Sequence, residues 1–210
     1  MPTPDCLYAD ESCLVLAKPA GLLAVPGRGP DKQDCLVARA QARWPDALTV
    51  HRLDMATSGL MVYGRGAAAQ RTLSIAFAER RVDKRYVAIV AGLIAADAGE
   101  VDAPLVCDWP NRPRQMVCHE RGKPSLTRWR VLSRDVAAGR TRVEVEPVTG
   151  RSHQLRLHLA TIGHPMLGDD LYAPPELAAA APRLLLHAAR LAFPHPVTGE
   201  RLEFERAPDF

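Results

Sequence analysis

Four runs of strand length follow one another in the middle of this chain, at 86–90, 100–106, 126–132 and 142–148, each alternating or continuously apolar. Such runs cannot bury an apolar face alone, so they commit the chain to a sheet. Further extended segments are read at 13–18 (CLVLAK), closed by Pro19 and Gly21, at 22–25 and at 59–63. A last pair, 184–193 and 201–204, is joined through the turn Pro196-Val197-Thr198-Gly199. Helical spacing interrupts the strands three times. One helix is expected at 31–43, with Asp31 or Asp34 as N-cap and Trp44-Pro45 as its stop, and another at 70–81. The third is expected at 151–162, with Thr149 near the N-cap and Gly163 as terminator. Residues 107–123 are polar, proline-containing and aperiodic, which predicts an excursion from the sheet. The predicted class is α+β, a mostly antiparallel mixed sheet flanked by helices and loops, in a single domain over 1–210.

Hydrophobic residues make up 47% of the 210, enough for a substantial core, but aromatics only 5%, so that core must be aliphatic. No stretch approaches the roughly 20 apolar residues of a membrane-spanning helix. The N-terminal residues Met1-Pro2-Thr3-Pro4-Asp5 lack the basic and apolar regions of a secretory signal. A soluble, cytoplasmic protein is expected. Five cysteines are scattered without a C-x-x-C pair, and Cys118-His119 are adjacent with no second pair at ligand spacing. Reduced thiols and no metal site are expected. The net charge of +3 permits nucleic-acid binding without demanding it. Arg80-Arg81-x-x-Lys84-Arg85 and Arg112-x-Arg114 are compact basic clusters, which fit either a solvated face or phosphate contacts.

Three stretches could carry chemistry. His51-Arg52-Leu53-Asp54-Met55-Ala56-Thr57-Ser58-Gly59 places a carboxylate, two cationic or titratable groups and two hydroxyls ahead of a strand, where scaffolds hold reactive groups. A polar turn capped by Asp54 is the alternative. Thr149-Gly150-Arg151-Ser152-His153-Gln154-Leu155-Arg156 would put Arg151 in a first helical turn, against the dipole, which suggests a partner carboxylate or phosphate. Lys84-Arg85-Tyr86 enters a strand, where a tyrosine is either core or a functional face. A serine hydrolase is disfavoured because the G-x-S-x-G elbow is absent and Ser152 and His153 are adjacent. H-E-x-x-H metal chemistry fails on the spacing of His153 and His158, and no phosphate-cradling glycine loop is present.

Together these stretches resemble the RluA family of pseudouridine synthases. The signature H-R-L-D-x-x-T-S-G reads as His51 to Gly59, K-x-Y as Lys84 to Tyr86, and T-G-R-[TS]-H-Q-[IL]-R as Thr149 to Arg156. Gly163-His164-Pro165, Leu167-Gly168-Asp169 and Leu185-Leu186-His187-Ala188 follow in family order. Val25-Pro26-Gly27-Arg28 and Cys107-Asp108-Trp109-Pro110-Asn111-Arg112-Pro113 resemble the compact branch that acts on both tRNA and 23S rRNA. The resemblance implies a pseudouridine synthase catalytic fold without an S4-like domain, acting on stem-loops such as the tRNA anticodon loop (position 32) and a 23S rRNA hairpin. It implies no cofactor, no protein partner and a monomer. The reaction breaks the C1′–N1 bond of a flipped uridine, turns the uracil and rejoins it through C5. By resemblance Asp54 is the nucleophile or base, Arg151 pairs with it and keeps it ionised, and Tyr86 stacks on the uracil and assists a late proton transfer. Arg52 fills the space the base leaves, and Leu186 forms an apolar pocket wall. His51, Lys84, Arg85, Arg112 and Arg114 are the remaining RNA-binding candidates, the last four as phosphate contacts.

Overall fold

The computed structural model describes residues 2–210; Met1, the first residue of the N-terminal stretch read above, lies outside the described residues. In chain order its elements are β1 (Asp5–Ala9), β2 (Cys13–Lys18), α1 (Leu36–Gln41), β3 (Ala47–Thr49), β4 (Ser58–Arg65), α2 (Gly66–Ala78), β5 (Asp83–Ala91) and β6 (Ala98–Asp102). There follow β7 (Leu105–Cys107), β8 (Gln115–Val117), β9 (Leu126–Asp135), β10 (Arg140–Pro147), α3 (Gln154–Thr161), α4 (Pro175–Ala178), β11 (Leu186–Pro194) and β12 (Arg201–Glu205). The chain divides into two compact units. One runs to Lys84 and resumes at His187–Asp209; the other comprises Arg85–Leu186 with Phe210. No helix among the described residues is long and apolar enough to cross a membrane.

In the first unit β2 pairs antiparallel with β1 and with β4, from Cys13↔Gly64 to Lys18↔Gly59. β4 is buried along almost its whole length and also pairs with β3 and, in parallel, with β11 at His187↔Ser58 and Ala188↔Gly59. β12 closes a hairpin on β11. α2 buries Ala69, Leu73 and Ala76, one stripe at helical spacing. Leu73 and Ala76 join Val15, Leu60, Val62, Leu191 and Phe193 in a mostly aliphatic core. This core fixes β4, and β4 in turn fixes the loop that precedes it.

In the second unit β5, β10, β9 and β6 form antiparallel pairs in that order. α3 contributes the buried Leu155 and Leu159, an i, i+4 pair. β7 and β8 make a separate two-stranded ribbon. The architecture is α+β and mostly antiparallel, as the sequence predicts, with β4·β11 a parallel exception.

Several boundaries differ from the sequence expectation, each for a local reason. The helix expected at 31–43 is a single 3-10 turn at Pro30–Lys32 followed by α1. Asp34 does not cap it, because its carboxylate takes the Arg39 guanidinium at 2.7 and 2.8 Å. The Leu36 N–H instead donates to Leu23 O, so the extended piece near residue 23 satisfies the helix start. α2 starts four residues earlier and ends three earlier than the expected 70–81. The run at 100–106 is split into β6 and β7 around Ala103-Pro104, since proline cannot donate to a ladder. The excursion at 107–123 is not wholly irregular, because β8 folds back on β7. The short edge strand β1 and the single-turn α4 carry no periodic signal and were not expected.

Candidate active site

The loop between β3 and β4 is held at both ends and in the middle. At its start the His51 ring stacks on Phe77 of α2, centroids 4.6 Å apart, and its Nε2 accepts the Val62 N–H at 3.1 Å. Burial pushes the His51 pKa down to about 3, with the Lys84 charge adding to the effect. The ring is therefore a neutral acceptor turned inward, which supports the loop. At the far end Gly59 adopts φ +117°, and a Cβ there would lie 2.3 Å from the Ala188 carbonyl oxygen of β11. Only glycine permits that approach. Ser58 Oγ meets His187 Nδ1 at 2.8 Å, so the Leu-Leu-His-Ala stretch enters the unit through its histidine.

Lys18 holds the middle. It is only 1% exposed, and its Nζ donates to the carbonyls of Pro19 (2.9 Å), Leu22 (2.7 Å) and Met55 (3.0 Å). A buried ammonium needs such acceptors, and here they tie the Lys-Pro-x-Gly-Leu turn to the loop before β4. The Gly21 N–H adds a second bond to Met55 O, and Thr57 N closes a turn on Asp54 O at 3.1 Å. Asp54 sits half-buried at the head of this turn, flanked by exposed Arg52 and by Met55, 53% exposed. Arg52 makes no hydrogen bond or ion pair among the described residues. A cavity of about 460 Å³ borders the loop through Met55, lined also by Pro19, Gly21, Leu22, Lys32 and Arg39. Lys84, half-buried, lies 5.9 Å from the Phe77 ring on which His51 stacks. The structure therefore places His51, Arg52, Asp54 and Lys84 in one unit. The sequence marks Lys18-Pro19-x-Gly21-Leu22 as part of the family resemblance, but the bond from Lys18 to Met55 across 37 positions is not legible in it.

The second motif is built around an amide. Gln154 Oε1 accepts from Thr149 Oγ1 (2.7 Å) and from the Arg151 N–H (3.0 Å), while its Nε2 donates to Leu126 O (2.9 Å) and Thr127 Oγ1 (3.0 Å). All four hydrogen-bonding positions of a buried amide are satisfied. The consequence corrects the sequence reading. α3 begins at Gln154, after His153 in the left-handed region at φ 54°, so Arg151 precedes the helix and Thr149 does not cap it. The dipole argument for Arg151 therefore lapses; its side chain is exposed, with Nε 3.4 Å from Pro124 O. The helix does end as expected: Gly163 N bonds Ala160 O and His164 N bonds Leu159 O, a Schellman pair with Gly163 at φ +84°.

Arg156 and Asp169 brace the same unit. The guanidinium is 3% exposed and forms a fork with Asp169, itself fully buried, at 2.5 and 2.8 Å. Asp169 also accepts the Tyr172 N–H, and the Tyr172 hydroxyl bonds both Gln115 N (2.7 Å) and His153 Nδ1 (2.8 Å). Tyr86 is half-buried on β5 opposite Val145, and Leu186 is buried at the start of β11. Arg85 is committed elsewhere: it lies 2.8 Å from Glu146 and 3.8 Å from Glu144. Arg112 and Arg114 are exposed near the end of the β7–β8 ribbon.

One group among the described residues brings metal-ligating atoms within 4.8 Å of one another: Asp10, Cys13 and His195. Sequence spacing could not reveal it, since Asp10 and His195 are 185 positions apart. Its donors are already engaged. Asp10 accepts from Ser12 N and Cys13 N (2.7 Å each), Tyr8 Oη (2.8 Å) and His195 Nε2 (2.8 Å). Burial works to raise the Asp10 carboxyl, but these donors outweigh it and hold it below the usual carboxylate range. Burial likewise pushes the Cys13 thiol up to about 12, so it remains protonated. The arrangement fits a hydrogen-bonded tie between the β1–β2 turn and the end of β11.

The sequence model described as RNA pseudouridylate synthase matches residues 12–161, a span that contains the motifs around Asp54, Tyr86 and Arg151. The chain is 50% identical over 204 residues to the dual-specificity RNA pseudouridine synthase RluA of Yersinia pestis, covering 97% of this chain and 98% of that protein. It is 51% identical over 205 residues to the protein of the same name from Escherichia coli K12, covering 97% and 93% respectively. Among solved structures, human RNA pseudouridylate synthase domain containing 1 matches with a TM-score of 0.81 at 27% identity, over 99% of this chain and 84% of that one. The human domain containing 4 matches with a TM-score of 0.78 at 26% identity, over 98% and 89%. The chain belongs to the RNA pseudouridylate synthase family.

Proposed function

We propose that this RNA pseudouridine synthase isomerises uridines in stem-loops of two RNA classes, at position 32 of the tRNA anticodon loop and in a hairpin of 23S rRNA. The observation that carries the reading is the intact His51–Gly59 motif, folded as one clamped loop with Asp54 half-buried at its turn. Two classes are favoured because the relatives at about half identity are named as dual-specificity enzymes. Asp54 attacks the ribose or the ring, or takes a proton there, and each role needs a fixed, ionised carboxylate. The surrounding clamps supply the fixing, and the neighbouring cavity has room for a nucleotide.

Arg52, exposed two residues before Asp54, reaches the gap beside an extruded base and stacks there through its planar guanidinium. Tyr86 supplies a stacking face for the uracil, Leu186 an apolar wall, and Arg151 a cation that serves the same reaction. Lys84, Arg112 and Arg114 meet phosphates, which position the RNA without specifying it. Arg85 contributes less, because two glutamates already neutralise it. The protein works as a monomer in the cytoplasm, as one catalytic domain and without a cofactor.

Tritium release from C5-labelled uridine tests the reading. Transcripts of tRNA and of 23S rRNA should each lose label on incubation with the enzyme, with pseudouridine mapped to one loop in each. Release from neither transcript would overturn the substrate assignment, and release from one alone would overturn the dual part.

A further inference from the structure

The end of the β7–β8 ribbon is closed upon itself. Asp108 N donates to Arg114 O, Asn111 N to Asp108 O, and Arg114 N to Asn111 O, at 3.0–3.1 Å. Asn111 Nδ2 adds a bond to Asp108 Oδ2 at 3.0 Å. Out of this braced turn projects Trp109, with 67% of its surface exposed. Arg112 lies over the ring, its guanidinium carbon 3.9 Å from the centroid, while its Nε donates to the Trp109 carbonyl at 3.1 Å. A second exposed guanidinium, that of Arg114, stands 5.6 Å from the Tyr172 ring.

A tryptophan shown to water forgoes one of the largest burials available to any side chain. Here the loop holds it outward with its own hydrogen bonds and covers part of it with a cation. The ring area left open is a flat π surface beside positive charge. That is the chemistry of a stacking platform for a nucleobase, where an aromatic face accepts any base and the guanidinium adds cation–π attraction and donors for phosphate or base edges. A protein hot spot would also use a tryptophan, but within an apolar surround, whereas the group recorded against the Trp109 ring is the Arg112 guanidinium, and Asn111 and Arg114 of the same turn are exposed and polar.

We propose that Trp109, backed by Arg112, stacks on an unpaired nucleobase of the substrate RNA and so helps set which loops the enzyme accepts. This inference rests on the RNA substrate proposed above. The test begins with a stem-loop that tritium release has shown to be converted. Its loop nucleotides are then replaced one at a time by abasic residues, and each RNA is titrated against wild type, Trp109→Ala and Trp109→Phe. Trp109→Ala should weaken binding roughly five- to hundredfold, and Trp109→Phe should recover much of the loss. One abasic position should weaken wild type but leave Trp109→Ala almost unaffected, because the stack is already gone. Equal affinity of Trp109→Ala and wild type, or equal sensitivity of both to every abasic position, would overturn the inference while conversion by wild type continued. Failure of any RNA to be converted would instead overturn the substrate reading, and this inference with it.

Discussion

The loop at 51–59 and the β7–β8 ribbon are both irregular excursions from sheets, yet they are held in opposite ways. The loop at 51–59 is fastened along its length: to α2 through His51, to the Lys-Pro-x-Gly-Leu turn through Lys18, and to β11 through Gly59 and Ser58. The ribbon is fastened at its root, where Leu105 bonds Lys123 and Cys118 N bonds Pro104 O, and at one point beside its turn, where Tyr172 holds Gln115; the turn itself relies on its own hydrogen bonds. The difference matches the tasks assigned to them. A carboxylate that must meet a reacting atom gains from a fixed position, since small misplacements slow chemistry strongly. A surface that recognises RNA must instead stay open to solvent.

Breaking the buried fork between Arg156 and Asp169, which accepts the Tyr172 N–H, should have the largest effect on stability. Arg156→Ala leaves Asp169 buried without its cation, and such a loss destabilises by about 3–5 kcal/mol. Urea unfolding of the variant should show it; a loss below about 1 kcal/mol would mean that the fork does not brace the unit. Gly59→Ala comes next. Its Cβ meets the Ala188 backbone rather than a flexible side chain, and φ +117° is strained for alanine, so a loss of about 3 kcal/mol is expected. The same unfolding experiment checks it, with activity falling as the loop shifts.

A third prediction uses pH. Folded His51 titrates near 3, whereas in an unfolded chain it titrates near the ordinary value of about 6.5. Between these values the unfolded state binds a proton that the folded state refuses. The contribution is therefore complete above about pH 6.5 and is lost as pH falls toward 3, by at most about 1.4 kcal/mol per pH unit. His51→Gln, which keeps an uncharged acceptor for the Val62 N–H, should flatten the pH dependence of the urea midpoint in this range. An unchanged slope would show that His51 is not the group responsible. The smallest effect belongs to the ribbon tip, where Trp109→Ala should change stability by under about 0.5 kcal/mol, as surface substitutions do. A larger loss would show that the tip is part of the fold after all.

The same contrast explains what the sequence could reveal. The residues from His51 to Gly59 form one contiguous motif, so their chemistry is legible without a fold. The clamps on them are not. Lys18 reaches Met55 across 37 positions, and Ser58 reaches His187 across 129. β2, a short apolar run buried on both faces and closed by Pro19, and β10, whose buried face sets a period of two, are both read to within two residues. The start of α3 is misread for a different reason. Gln154 offers its side-chain amide to Thr149 and Arg151, a competing set of hydrogen bonds that periodicity cannot register. Most of β7 lies in the expected run at 100–106, but β8 and its pairing escape notice because three residues are too few to alternate visibly.

We propose that Asp54, and not the loop in general, carries the reaction. Asp54→Asn changes one oxygen to a nitrogen and preserves size, so the turn closed by Thr57 N on the Asp54 carbonyl should survive. Tritium release from C5-labelled uridine, measured alongside RNA affinity and the urea midpoint, gives the direct test. No detectable release is expected, with affinity within a few-fold of wild type and an unchanged midpoint. Turnover within tenfold of wild type would contradict it and move the chemistry to another residue.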